Sequence, residues 1–266
     1  RDETPETLHR YRDLIAYSVS EPDKGQTDAI NKGLSRMTGT IWSYLNSDDL
    51  LTPGALHRVN EAFQARDIRW VSGRTTIFGP EGDRGTIEPR TVKTLRDYLP
   101  HFDHPERQSP FPCSCASFMH REVIDRIGCF EEYYHYSMDI EYWVRAVFEG
   151  EFRQTIIPDI LARWRWHPEC KTLKNGMAYG FREDEIRIAK AFASYLKDEE
   201  NDRFLGEITQ QERLLPARKA MHWVRNNQRA DAAKALFTGL LQHPGSFLQR
   251  PWLGALRQLI LPTADA

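Results

Sequence analysis

The chain predicts an α/β fold, a mainly parallel sheet with flanking helices, followed by a C-terminal helical extension. Three observations carry this. Short β-rich apolar runs alternate with capped helical patterns between residues 14 and 78. The segment 138–149 (MDIEYWVRAVFE) repeats apolar side chains at helical spacing, and further β-rich runs follow it. From residue 203 onward the pattern is helical throughout.

In chain order, residues 14–20 (LIAYSVS) alternate and carry Ile15 and Val19, which predicts a strand. Thr27 stands as N-cap of a helix over Asp28–Met37, stopped by Gly39. Residues 40–46 (TIWSYLN) read as a second strand. Thr52 with Pro53 marks a helix start, and that helix runs to Gln64. Residues 69–78 read as strand, and FGPEGDRG (78–85) as the turn after it. A short helix at 92–99, a Pro-rich loop at 105–112 and a strand–helix pair over 115–127 come next. The helix at 138–149 places Ile140, Trp143, Val144 and Val147 on one face. Strands at 153–157 and 160–166, a helix over 177–193 and a helical hairpin joined near Asn226–Gln228 complete the reading.

Forty per cent of the 266 residues are hydrophobic, with seven Trp and thirteen Phe, which supplies a substantial core. A net charge of −2 gives no global case for nucleic acid or a membrane surface. The four cysteines are too few for a disulfide scaffold, and Cys113-x-Cys115 lacks the second pair that structural zinc requires. They read as reduced thiols of a cytoplasmic chain. No apolar run approaches the roughly 20 residues of a membrane span.

Within YLNSDDLLTPGAL (44–56), Asp48 and Asp49 stand together past the end of a predicted strand. Ligands of open α/β sheets bind at that place. Adjacent carboxylates with Asn46 upstream offer hard oxygen donors suited to Mg2+ or Mn2+, and such an ion would neutralise a diphosphate. Acidic residues also favour the start of the following helix. From these residues alone both readings stay open.

SEPDKGQTDAINKG (20–33), NSDD (46–49) and MDIEYWVR (138–145) occur in an order and spacing that resemble the inverting nucleotide-sugar glycosyltransferases of family 2, which have the GT-A fold. The resemblance covers residues 1–175 and leaves 176–266 as a helical extension. It implies that Asp23, Lys24, Gly25, Gln26, Asp28 and Asn31 meet the nucleotide end of the donor, Gly25 by close backbone approach. Asn46 and Asp48 would contact the donor, and Asp48, Asp49 and His167 would hold Mn2+ or Mg2+. Asn46 replaces the first Asp of the commoner pattern. Asp139 would be the general base, with Glu141 as the nearby competitor. The segment 113–132 resembles the acceptor side, Gln108 just before it is a common family position, and Arg163, Arg165 and Lys171 add positive charge for phosphates or plain surface.

The resemblance also implies the partners: a nucleoside diphosphate sugar, a UDP-sugar first, and a glycan or lipid-linked acceptor of surface polysaccharide synthesis, with no nucleic acid. By the same comparison the opening RDETPETLHRY begins past the family's first strand, helix and base-binding turn, so the chain alone is expected to expose apolar surface. The alternative from another class is a non-catalytic binding or scaffold fragment. A nucleotidyltransferase fits less well, since nothing resembles its Gly-rich phosphate loop. His243–Pro262 is amphipathic, and either lies against the cytoplasmic face of a bilayer or packs back on the domain.

Overall fold

The computed structural model describes residues 3–91, 111–171, 177–196 and 198–260. The predicted helix at 92–99, most of the 105–112 loop and Gln108 lie outside the described residues.

A six-stranded sheet forms the centre, in the order β1-β5-β3-β6-β2 with β4 paired to β3. The strands are β1 (Ile41–Trp42), β2 (Leu50–Leu51), β3 (Trp70–Gly79), β4 (Gly82–Ile87), β5 (Ser117–His120) and β6 (Gln154–Arg165). The helices are α1 (Thr4–Arg10), α2 (Gln26–Arg36), α3 (Ala55–Ala62), α4 (Arg121–Ile127) and α5 (Met138–Phe148). Then come α6 (Met177–Phe192), α7 (Asp198–Arg225), α8 (Arg229–Gln242) and α9 (Arg250–Ile260).

The α/β class holds, but the sheet is mixed rather than mainly parallel. Among the described residues β3 and β6 are the one parallel pair, and β1–β5, β2–β6, β3–β4 and β3–β5 are antiparallel. The hairpin turn after β3 sends the chain back along one edge of β3 as β4, and β5 pairs antiparallel with the first part of that same edge, leaving the other to β6. Residues 14–20 form no strand. Their alternation lacks a ladder partner, and Leu14, Tyr17 and Val19 point to solvent. Thr27 is not a cap; Gly25, at φ +129°, precedes the first helical residue Gln26. The strand expected over 40–46 shortens to Ile41–Trp42. Pro53 sits in a turn closed by Ala55 N–H on the Thr52 carbonyl (3.0 Å), so α3 starts two residues later than its Pro suggests.

The two strands expected at 153–157 and 160–166 are one. Pro158 has no N–H for a ladder, and the β3–β6 register shifts around it, from Ser72↔Ile156 to Arg74↔Ile160. A bulge of this kind is where a sheet tolerates Pro. Gly73 lies opposite, and a Cβ there would come 2.7 Å from the Asp159 carbonyl oxygen.

The core lies between the sheet and α5. Trp42, Trp70, Met119, Phe130, Tyr142 and Trp143 are buried together. Phe130 stacks on Tyr142 at 4.2 Å, and Trp70 meets Trp143 at 5.4 Å; each such pair adds about 0.5–1.5 kcal/mol beyond burial. Trp70 keeps its indole N–H satisfied on Ser117 Oγ (2.9 Å). The same cluster takes in Ile186, Ile188 and Phe192 of α6 and Phe204 and Ile208 of α7, so the core continues past residue 175. A second cluster joins α7, α8 and α9 around Ala220, Leu236 and Trp252. The helical hairpin at Asn226–Gln228 is present, although its first arm is a single 28-residue helix.

α9 packs back on the domain through Trp252, whose indole donates to the Arg213 carbonyl (3.0 Å), and Ala255. Its other face presents Leu253 and Ile260, and Leu248 just before it is 80 % exposed. No described helix is long and apolar enough to cross a membrane. All four cysteines are free thiols.

Candidate active site

Three sequence segments meet at one end of the sheet, and local turn chemistry presents each. Before α2, the Asp23 carboxylate accepts the Gly25 N–H (2.9 Å) and Asp28 accepts the Lys24 N–H (3.0 Å), closing a tight loop at the helix start. That backbone bond, aided by Lys32 at 3.2 Å, holds the Asp28 carboxyl below its ordinary value. Gln26, the first residue of α2, then reaches across to Asn46 (Nε2 to Oδ1, 2.9 Å).

The two aspartates stand in the turn that leads into β2. That strand is only two residues long, but its pairing of Leu50 with Arg163 brings the chain before it alongside the end of β6. Asp49 turns inward and is 4 % exposed. One of its oxygens accepts the Arg165 N–H (3.0 Å), the other the Asn46 amide (3.1 Å). Burial raises its carboxyl above the ordinary range, against those two bonds. Asp48 turns the other way: its Oδ2 lies 3.0 Å from His167 Nε2, while its carbonyl accepts Arg165 Nε (2.9 Å). Neighbouring carboxylates thus differ in setting, Asp49 buried on the backbone and Asp48 part exposed beside His167.

The predicted metal set of Asp48, Asp49 and His167 does not converge as three. Among the described residues no group of three His, Cys, Asp or Glu side chains is placed to share an ion. The Asp48–His167 pair by itself fits a small divalent cation. Two ligands of an octahedral ion at about 2.1 Å and at right angles stand about 3 Å apart, and such ions keep waters and substrate phosphates as their remaining ligands.

Asp139 is the second residue of α5. Its Oδ1 accepts the Ile140 N–H (2.8 Å), and burial raises its carboxyl above the ordinary value, opposed by that bond and by the Lys171 charge. The Lys171 amine donates to the His135 carbonyl and lies 3.5 Å from Gln26 Oε1. A polar chain therefore runs from Lys171 beside Asp139 through Gln26 and Asn46 to Asp49. Tyr44 closes the same space; burial, then the Asp139 charge, push its phenol well above the ordinary value. Glu141 is not a rival base. Both its oxygens are bound by Arg145, at 2.7 and 3.0 Å, in a buried pair.

Other predicted residues are placed away from this cluster. Asn31 uses both ends of its amide on the backbone of Phe130 (2.8 and 3.0 Å), tying α2 to the loop before α5. Lys24 is exposed and pairs with Glu132 at 3.6 Å. Arg163 pairs with Asp83 and lies over the Phe78 ring at 4.5 Å. The sequence reading missed Tyr44 and also Asp184 of α6, whose buried carboxylate accepts the N–H groups of Tyr136 and Ser137 just before α5. Asp184 sits in a charged helical stretch, REDEIR, that reads as solvated surface.

Residues 1–128 match the model of Glycosyl transferase family 2. An uncharacterized glycosyltransferase of Mycobacterium tuberculosis is 27 % identical over 143 residues, 52 % of this chain and 50 % of the relative. One from Nostoc is 26 % identical over 112 residues, 41 % and 34 % of the two chains. The chain thus spans at most about half the length of the curated relatives it matches. Staphylococcus aureus TarS 1–349, solved in complex with UDP-GlcNAc, superposes with a TM-score of 0.55 at 15 % identity, over 97 % of this chain and 78 % of that one. The full TarS structure gives 0.54 at 15 % identity, over 97 % and 47 %. The fold is therefore that of TarS, a GT-A sheet with flanking helices, and residues 1–128 carry the likeness to glycosyl transferase family 2.

Proposed function

We propose that the protein transfers a sugar, with inversion, from a nucleoside diphosphate sugar to a glycan or lipid-linked acceptor in surface polysaccharide synthesis. One observation supports this above the others: the polar chain that joins the Gln26, Asn46–Asp49 and Asp139 segments around one space. UDP is the first choice of nucleotide, since the TarS neighbours were solved with UDP and UDP-GlcNAc. Residues 1–175 would form the transferase core and 176–266 the extension.

In this reading Asp139 takes the proton of the acceptor hydroxyl as its oxygen attacks the anomeric carbon. The bond from that carbon to the diphosphate oxygen breaks on the opposite face, and the nucleoside diphosphate leaves. Burial keeps Asp139 more basic than an exposed carboxylate, which suits proton abstraction near neutrality. Asp48 and His167 would hold Mn2+ or Mg2+, which when bound stabilises negative charge on the leaving diphosphate. Asp23, Lys24, Gly25, Gln26 and Asp28 shape the start of α2 against the nucleotide, and a helix N-terminus favours its phosphates. Asn31 acts only indirectly, by fixing α2 to Phe130.

Thermal shift with UDP, GDP and dTDP, each with and without Mn2+, tests the donor site. UDP is expected to stabilise the chain only with Mn2+ present, and Asp48→Ala to weaken that binding at least about tenfold, near 1.4 kcal/mol. A folded chain unmoved by every nucleotide would leave the non-catalytic scaffold reading in its place.

We further propose peripheral contact of residues 243–262 with the cytoplasmic face of a membrane. Leu248, Leu253 and Ile260 are exposed beside Arg250 and Arg257, and no carboxylate occurs between Asp231 and Asp265. The chain is expected to co-sediment with anionic vesicles at low salt and to release as salt rises. The pair Leu248→Asp and Leu253→Asp should abolish this; equal binding by that variant would exclude the segment.

A further inference from the structure

The turn that presents Asp139 is held from outside the family match, by α6. Asp184 is 1 % exposed, and its Oδ2 accepts two backbone N–H groups, Tyr136 at 2.7 Å and Ser137 at 3.1 Å. Its Oδ1 accepts Arg187 Nη1 at 3.0 Å, which fixes the carboxylate's rotation. Tyr136 and Ser137 lead directly into α5. The first N–H groups at a helix start need outside acceptors, and a local Ser usually supplies one. Ser137 does not: its hydroxyl makes no capping bond. The Ile140 N–H goes to Asp139 itself, and the turn ahead of the helix is held by Asp184, 47 positions beyond Ser137 in the chain.

One turn before Asp184, Gly180 lets α6 approach the same segment. A Cβ there would fall 2.4 Å from Cε2 of the Tyr136 ring, and Phe181 meets that ring at 5.5 Å between centroids. On the other side, the Lys171 amine lies 5.3 Å from the ring centre and donates to the His135 carbonyl. Residues 135–137 are thus gripped at backbone and ring from one helix and one lysine.

We propose that Asp184 and Gly180 are positioning residues that set the Asp139 carboxylate against the acceptor through the turn 135–137. The inference rests on Asp139 being the base. A base must sit within hydrogen-bond reach of the proton it takes, and a displacement of about 1 Å costs on the order of 100-fold in rate. Asp184 and Gly180 touch neither donor nor acceptor in this arrangement, so their effect should fall on turnover alone.

The test follows UDP release from UDP-GlcNAc by the whole chain with Mn2+, water standing in for the acceptor, alongside UDP binding by thermal shift. Asp184→Ala and Gly180→Ala are each expected to lower kcat about 10–100-fold. Donor KM and UDP binding should stay within about twofold. Asp184→Asn keeps an oxygen for both N–H groups and should recover most of the loss. Gly180→Ala favours the helix intrinsically but must push the Tyr136 ring aside, so melting temperature is read beside kcat, and a purely structural role predicts a lower melting temperature with kcat per folded molecule unchanged. Asp139→Asn separates the two readings. If it is inactive while Asp184→Ala and Gly180→Ala turn over normally, the positioning role is wrong. If Asp139→Asn itself turns over normally, the base assignment falls. Should Asp184→Ala not fold, Gly180→Ala decides alone.

Discussion

Asp139→Asn is expected to lower kcat for sugar transfer by about 10²–10⁴-fold, the usual contribution of a general base. Mn2+-dependent UDP binding should be retained, because no bond links Asp139 to the Asp48–His167 pair. The wild-type rate should also report the base directly. Asp139 must be ionised to work, and burial raises its carboxyl above the ordinary value. The acid limb of kcat against pH is therefore expected above the ordinary carboxylate range, and absent from the residual rate of Asp139→Asn. The effect on stability has the opposite sense. A carboxyl that binds its proton more tightly when folded makes stability fall as pH rises through its folded pKa. At pH 7 Asp139→Asn should thus unfold no earlier than the wild type. A variant with normal kcat would exclude Asp139 as base.

Glu141→Ala, two residues along the same helix, should give the reverse pattern. The Glu141 and Arg145 side chains are 4 % and 8 % exposed and bonded in two places. Arg145 also donates to the carbonyls of Ile127 and Cys129, which anchors the loop between α4 and α5. Removing the carboxylate leaves a guanidinium buried without its counter-charge, at a cost of about 3–5 kcal/mol. Urea denaturation should show a lower midpoint at unchanged slope, with activity lost in step with folding. A loss below about 1 kcal/mol would mean that water reaches Arg145 and that the pair is not closed.

These two carboxylates illustrate what was legible in the sequence. The helix over 138–149 and Asp139 at its start could be read from apolar spacing and position. That Glu141 faces inward followed from nothing local; its partner Arg145 lies one turn on, a spacing equally common on solvated faces. The pair Asp48–Asp49 has the same character. Adjacency marked the two as candidates, but the strand expected to lead into them stops at Trp42, and the split between them depends on β2, whose two residues are too short to show alternation. Residues 14–20 show the converse, an alternating pattern with no neighbour to pair with. Pro158 hid the continuity of β6, because the bulge that accommodates it is made with Gly73 on a distant strand. Asp184 was out of reach for a related reason: a side chain that holds the turn before another helix leaves no periodic signal in its own.

The parallel pairing of β3 with β6 at the centre of the sheet bears on how the chain is made. Trp70 of β3 aligns with Gln154 of β6, so the innermost ladder cannot close until the ribosome has released residues well past the middle of the chain. Contacts this distant in sequence form slowly. During synthesis β3 can engage β4 at once and β5 soon after, while its remaining edge, beside the buried Val71, waits unpaired. An unfilled edge on an emerging chain is a site for self-association. Slower translation after β5 would prolong that interval, and a holding chaperone that covers β3 until β6 arrives would raise the yield of native protein.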